Sequence, residues 1–204
     1  MDIHLHQNDL PDGLNLGKLV AIDTETMGLK HGRDRLCLVQ LSAGDGVCHL
    51  VKIQRGESVE AKNLKRFLQD PEVIKIFHFA RFDVAALYQH FKILTQPVYC
   101  TKIASKLVRT YTDRHGLKDL CRELLGVEIS KHEQTSDWGA ETLREEQLKY
   151  AASDVLYLHQ LKNVLDQRLQ REQRTGLAEK CFEFLPFRAS LDLLSGEEFD
   201  IFQH

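Results

Sequence analysis

The stretch VAIDTETMGL, Val20 to Leu29, begins as a buried strand and ends in a charge problem. The run Leu19, Val20, Ala21, Ile22 has the length and composition of a strand inside a sheet, and it delivers Asp23 and Glu25 one residue apart at its end. On extended backbone, residues i and i+2 face the same side. Two carboxylates therefore stand together at the rim of an apolar core. Such a pair is costly unless something positive sits between them.

Working outward, Ile3 and Leu5 alternate with polar neighbours, an edge-strand pattern. Residues 35–43 (RLCLVQLSA) and 46–53 (GVCHLVKI) read as two strands joined by hairpin chemistry at Gly44-Asp45-Gly46. A helix is expected over 58–69, stopped by Asp70-Pro71, then a buried strand over 72–79 and a helix over 81–91. From residue 100 the pattern is helical throughout: 101–109, 116–125 closed by Gly126, a long helix over 142–170, and shorter pieces to the end. Thr142 and Glu145 have the spacing of a capping box opening that long helix. Strands interleaved with helices, then helices alone, predict an α/β fold with a mixed, largely covered sheet and a helical C-terminal part. With 204 residues and no repeat or linker, one domain is expected.

Composition narrows the chemistry. The chain is 43% hydrophobic and 28% charged, as soluble globular proteins are. No apolar run is long enough for a membrane span, and the N-terminus has no signal-peptide pattern, so a cytoplasmic location and no membrane partner are expected. Five scattered cysteines without a C-x-x-C pair argue for reduced, buried thiols. His4 and His6 flank Leu5, with no Cys/His partner at zinc-finger spacing. The net charge of −3 argues against a broad basic grip on long nucleic acid. It fits a small substrate, or an anionic one bridged by metal ions.

Two further acids sit in apolar settings. Asp83 lies in HFARFDVAAL, in the first turns of a helix, and Asp154 lies in LKYAASDVLYL, one helical turn after Tyr150. Taken singly, a D-x-E pair is common, Asp83 reads as an early-helix acid facing the helix dipole, and Tyr150 as a packing residue. Taken together and in this order, four carboxylates beside apolar runs suit a hard cation such as Mg²⁺ or Mn²⁺. Two such ions about 3.5–4 Å apart can activate a water and stabilise a leaving oxygen in phosphoryl transfer.

D-x-E, then HxxxFD, then Y-x-x-x-D resembles the signature of the DEDDy 3′–5′ exonucleases, and residues 134–158 resemble ribonuclease D and its relatives. The resemblance covers about residues 18–165 and implies the ribonuclease H-like (DnaQ-like) fold. By position it implies that Asp23, Glu25, Asp83 and Asp154 hold two divalent cations, Mg²⁺ or Mn²⁺, while Tyr150 orients the attacking water. It further implies that the Thr24–Glu25 backbone lies near the 3′ end, that Leu29 wedges beside the terminal bases, and that His78 lines the pocket. For Leu29 and His78, ordinary packing is the competing reading.

Two departures bear on the substrate. Ribonuclease D proper has an Arg-Pro pair where this chain has Glu141 and Thr142, and it carries C-terminal HRDC domains for which the roughly 40 residues after 165 leave too little chain. Both features resemble the compact NrnC type, which cleaves dinucleotides and assembles ring-like homo-octamers. The expected activity is therefore hydrolysis of dinucleotides and very short RNA. The alternatives are a general 3′–5′ exonuclease on longer RNA or single-stranded DNA, and an inactive RNA-binding scaffold, which the intact set of acids disfavours. Arg109, Arg114 and His115 are either a phosphate-facing cluster or, as their loop context favours, a solvated loop.

Overall fold

The computed structural model describes residues 2–56, 60–129, 133 and 135–195. Six strands form one sheet in the order β1-β4-β3-β2-β5-β6. They are β1 (Asp2–Gln7), β2 (Leu19–Thr26), β3 (Leu36–Ser42), β4 (Val47–Lys52), β5 (Ile74–Phe77) and β6 (Val98–Cys100). The β2–β3 and β3–β4 pairs are antiparallel, while β1–β4, β2–β5 and β5–β6 are parallel. Every residue of β3 is buried, so the centre of the sheet is covered on both faces. The mixed sheet and the helical C-terminal part agree with the sequence reading.

The helices are α1 (Lys62–Gln69), α2 (Ala80–Phe91), α3 (Thr101–Val108), α4 (Leu117–Leu120), α5 (Glu145–Leu156), α6 (Leu158–Arg171) and α7 (Thr175–Ser195). Helix α5 packs on β2, β3 and β4; α2 contacts β5 and β6 and lies along α7. No helix among the described residues is long and apolar enough to cross a membrane.

Several boundaries differ from expectation. Residues 58 and 59 of the expected first helix lie outside the described residues, as does 196–204 of the C-terminal pieces. Helix α1 starts at Lys62 because its first-turn N–H groups find a remote cap: Asn63 and Leu64 donate to the Asp9 carboxylate at 3.0 and 2.8 Å. Strand β6 was not expected, since three residues carry too short a pattern to read. The expected 116–125 helix is α4 running into a π-helical turn over Cys121–Leu125, with Gly126 at φ 70° closing it as foreseen.

The long helix is two helices, broken at Tyr157, and Thr142 does not cap it. The Arg144 N–H instead donates to Gln147 Oε1 at 3.0 Å at the start of α5. Arg109 is fully buried and His115 nearly so, which overturns both readings for these two residues, while Arg114 is exposed as the solvated-loop reading expects. The Arg109 guanidinium donates to Glu123, to Ser105 Oγ and to the Arg114 carbonyl, and His115 Nδ1 bonds Ser105 Oγ. This is internal scaffolding that ties α3 to the π-helical turn.

Candidate active site

Parallel β2, β5 and β6 end on the same edge of the sheet, the usual ligand side of such strands. Asp23 and Glu25 stand on the last turn of the pleat of β2, before a register shift between Glu25 and Thr26. A bulge at that point shifts the register, and pairing resumes with Thr26 opposite Leu36 before the chain enters the exposed loop beyond. Asp154 comes from α5, which packs across β2. One oxygen from each of Asp23, Glu25 and Asp154 lies within 4.8 Å of the others.

Asp83 is buried in the first turn of α2 and accepts the Thr24 hydroxyl at 2.7 Å. The hydroxyl of Thr24, rather than its backbone alone, thus links the second acid-bearing element to β2. Across the sheet, Gln40 Nε2 donates to Asp23 Oδ2 at 3.3 Å, while the buried Gln40 Oε1 has no hydrogen-bond partner among the described residues. Gln40 was missed in the sequence. Its signal was an amide in the middle of the apolar run from Leu36 to Leu41.

The electrostatics confirm the charge problem posed by D-x-E. Burial, then the charges of Asp23, Asp154 and Asp83, lifts the Glu25 carboxyl to about 10. Burial raises Asp23 to about 7, against the opposing hydrogen bond from the Thr24 backbone. Asp83 is pushed well above the ordinary carboxylate range by burial and then by the charge of Asp23. Burial is the main reason each group resists ionising, and the neighbouring acids add to it for Glu25 and Asp83. Protons can satisfy such a set, or hard cations can. An all-oxygen donor set with mutual repulsion fits Mg²⁺ or Mn²⁺.

Tyr150 sits one turn before Asp154 on α5, hydrogen-bonded to it, with its ring 6.1 Å from that of Trp138. Burial and the charges of Asp154, Glu25 and Asp23 hold its phenol well above the ordinary range, so it keeps its proton. His78 follows β5. The Thr101 hydroxyl gives its hydrogen to the Phe77 carbonyl at 3.2 Å, so His78 Nδ1 donates to Thr101 Oγ1 at 2.9 Å. Leu29 is 77% exposed on the loop after β2, which removes core packing as its explanation. Lys52 was also missed: its buried ammonium donates to the carbonyls of Ala140 and Glu141 and so fixes the loop before α5.

Residues 8–170 match the family described as 3′–5′ exonuclease. The chain belongs to the 3′–5′ exonuclease family. Within it, the chain is 37% identical over 155 residues to ribonuclease D of Gluconacetobacter diazotrophicus, a match covering 76% of this chain and 39% of the relative. The chain thus spans about two fifths of that relative's length. Among solved structures, it resembles Brucella melitensis NrnC bound to pGG at 58% identity and a TM-score of 0.95, covering 100% of this chain and 99% of that one. The same Brucella protein with bound Mg²⁺ matches at 57% identity and a TM-score of 0.94, covering both chains fully.

Proposed function

We propose that this chain is a divalent-metal-dependent 3′–5′ exoribonuclease that converts dinucleotides and very short RNA to nucleoside 5′-monophosphates. The observation that carries the reading is the convergence of Asp23, Glu25 and Asp154 oxygens within 4.8 Å, beside the buried Asp83 held by Thr24. In this reading the four acids hold two cations, Mg²⁺ or Mn²⁺, which when bound activate the attacking water and stabilise the leaving oxygen. Gln40 fixes the orientation of Asp23. Tyr150, keeping its proton, positions the water by hydrogen bonding and does not act as the base.

The Thr24–Glu25 backbone faces the 3′ end, the exposed Leu29 wedges beside the terminal bases, and His78 lines the pocket in the orientation that Thr101 gives it. The likeness to an NrnC bound to pGG supports the preference for dinucleotides. The likeness to ribonuclease D favours, as the second reading, a general exonuclease on longer strands. The proposal extends to a single catalytic domain working in the cytoplasm as a homo-oligomer, the ring-like octamer of the NrnC type. Exposed Leu177 and Phe187 on α7 suit a face covered by another copy. The test is a 5′-labelled short RNA, expected to shorten stepwise from its 3′ end with Mg²⁺ and to stay intact with chelator. Shortening in chelator would reject the metal-dependent reading.

Stability offers a second check. Asp23 and Glu25 bind protons more tightly folded, at about 7 and about 10, than at their ordinary values of 3.8 and 4.5. Their contribution is therefore full below the ordinary values and lost as pH rises through the folded ones. The Tm of chelator-treated protein should fall as pH climbs from about 5 toward about 10. Mg²⁺ should raise Tm and flatten that decline, because it binds the ionised native acids. A Tm indifferent to Mg²⁺ at neutral pH would count against the site.

A further inference from the structure

Three imidazoles cluster at the β1 edge of the sheet. Parallel pairing of β1 with β4 puts His4 directly opposite His49, and His6 shares the face of His4 because the two are separated by one residue. The rings of His4 and His6 each lie 5.3 Å from that of His49, at interplanar angles of 19° and 14°. His6 Nε2 and His49 Nδ1 are 3.0 Å apart. The spacing missing from the sequence around His4 and His6 is thus supplied across the sheet, from 43 residues away.

We propose that His4, His6 and His49 bind one borderline transition-metal ion, with Zn²⁺ the cation their chemistry fits best. Two nitrogens on a tetrahedral Zn²⁺ with bonds of about 2.0–2.1 Å stand about 3.3 Å apart, close to the His6–His49 separation. The cation takes the place of the proton now shared by that pair. His4, whose side chain is 49% exposed, completes the set by a side-chain rotation. In the present rotamer its Nε2 lies 3.1 Å from Asp2 Oδ2, and the exposed Asp2 is free to follow the rotated ring and orient it through that nitrogen, as carboxylates commonly orient zinc-bound imidazoles. That leaves Nδ1 of His4 for the metal and a fourth position for water.

Imidazole is a poor ligand for Mg²⁺ and a good one for Zn²⁺, so this site and the four acids sort the two cations between them. Burial and histidine–histidine repulsion lower the pKa of His6 and His49, which keeps their lone pairs available near neutral pH. Bound there, the ion clips the N-terminal edge strand to the hairpin formed by β3 and β4.

The test is calorimetric titration of chelator-treated full-length protein with Zn²⁺ in excess Mg²⁺, repeated on Asp23→Asn, His49→Ala and His4→Ala. One ion per chain is expected, retained in Asp23→Asn. Loss of one imidazole should weaken binding by at least about tenfold, since even outer-shell changes cost that much at many metal sites. Mg²⁺-dependent turnover and the melting temperature of the His4→Ala protein should stay as in the wild type. Wild-type Zn²⁺ affinity in both histidine variants, or loss of binding in Asp23→Asn, would overturn the proposal.

Discussion

Asp83→Asn is expected to fold normally and to lose at least about 10³-fold in kcat, beyond the ~10²–10³ typical of removing one preorganised stabiliser of a transition state. Such a loss corresponds to about 4 kcal/mol. The amide keeps the shape of the carboxyl and can still accept the Thr24 hydroxyl, so the packing of α2 on β2 survives. What disappears is one anion from a set whose members already repel one another. The chelator-treated variant should therefore melt at or above the wild-type temperature, while gaining less from Mg²⁺. A carboxylate that merely faced the helix dipole would behave differently, costing a little stability and no turnover. Steady-state kinetics with Mg²⁺ decides. Near-wild-type turnover in Asp83→Asn would remove that acid from the reaction.

Tyr150→Phe separates the positioning of water from the holding of cations, because it deletes one hydroxyl and leaves the ring beside Trp138. The expected fall in kcat is about 10²–10⁴-fold, the usual worth of a positioned proton-handling group. KM should barely move, the pattern of an interaction made mainly in the transition state. The Mg²⁺-induced rise in Tm should also persist, since the four carboxylates remain. Should the variant turn over at the wild-type rate, Tyr150 would be a packing residue on α5 and nothing more.

Legibility in the sequence followed the range of the interactions. The period of two in VAIDTET was enough to put Asp23 and Glu25 on one face, and the Tyr150–Asp154 spacing was enough to stack them on one helix. These are local geometries. Asp83 joins them through Thr24, 59 residues away, and Gln40 through strand register, 17 residues away; neither link leaves a local mark. The same limit explains the misread basic cluster. Arg109 and His115 are polar residues beside a turn, and only the position of Glu123, 14 residues from Arg109, and the fold of His115 back onto Ser105 turn them into a buried network. The break at Tyr157 was hidden by good helix formers on both sides. The cap of α1 comes from Asp9, beyond any window in which capping signals are read.

Substrate length separates a dinucleotide-specific pocket from a general exonuclease. A pocket that recognises both ends of a dinucleotide gains contacts that a longer strand, whose 5′ side must continue outward, cannot make. With a net charge of −3, added nucleotides find little further electrostatic attraction. The measurement is kcat/KM with Mg²⁺ across a series of 5′-phosphorylated RNAs from two to seven nucleotides. A drop of at least about tenfold is expected from two nucleotides to three or more, about 1.4 kcal/mol, within reach of one charge-assisted phosphate contact. Removing the 5′ phosphate of the dinucleotide should erase much of that advantage. Equal or better efficiency on the seven-nucleotide RNA would rule out the dinucleotide preference and make the chain a general 3′–5′ exonuclease.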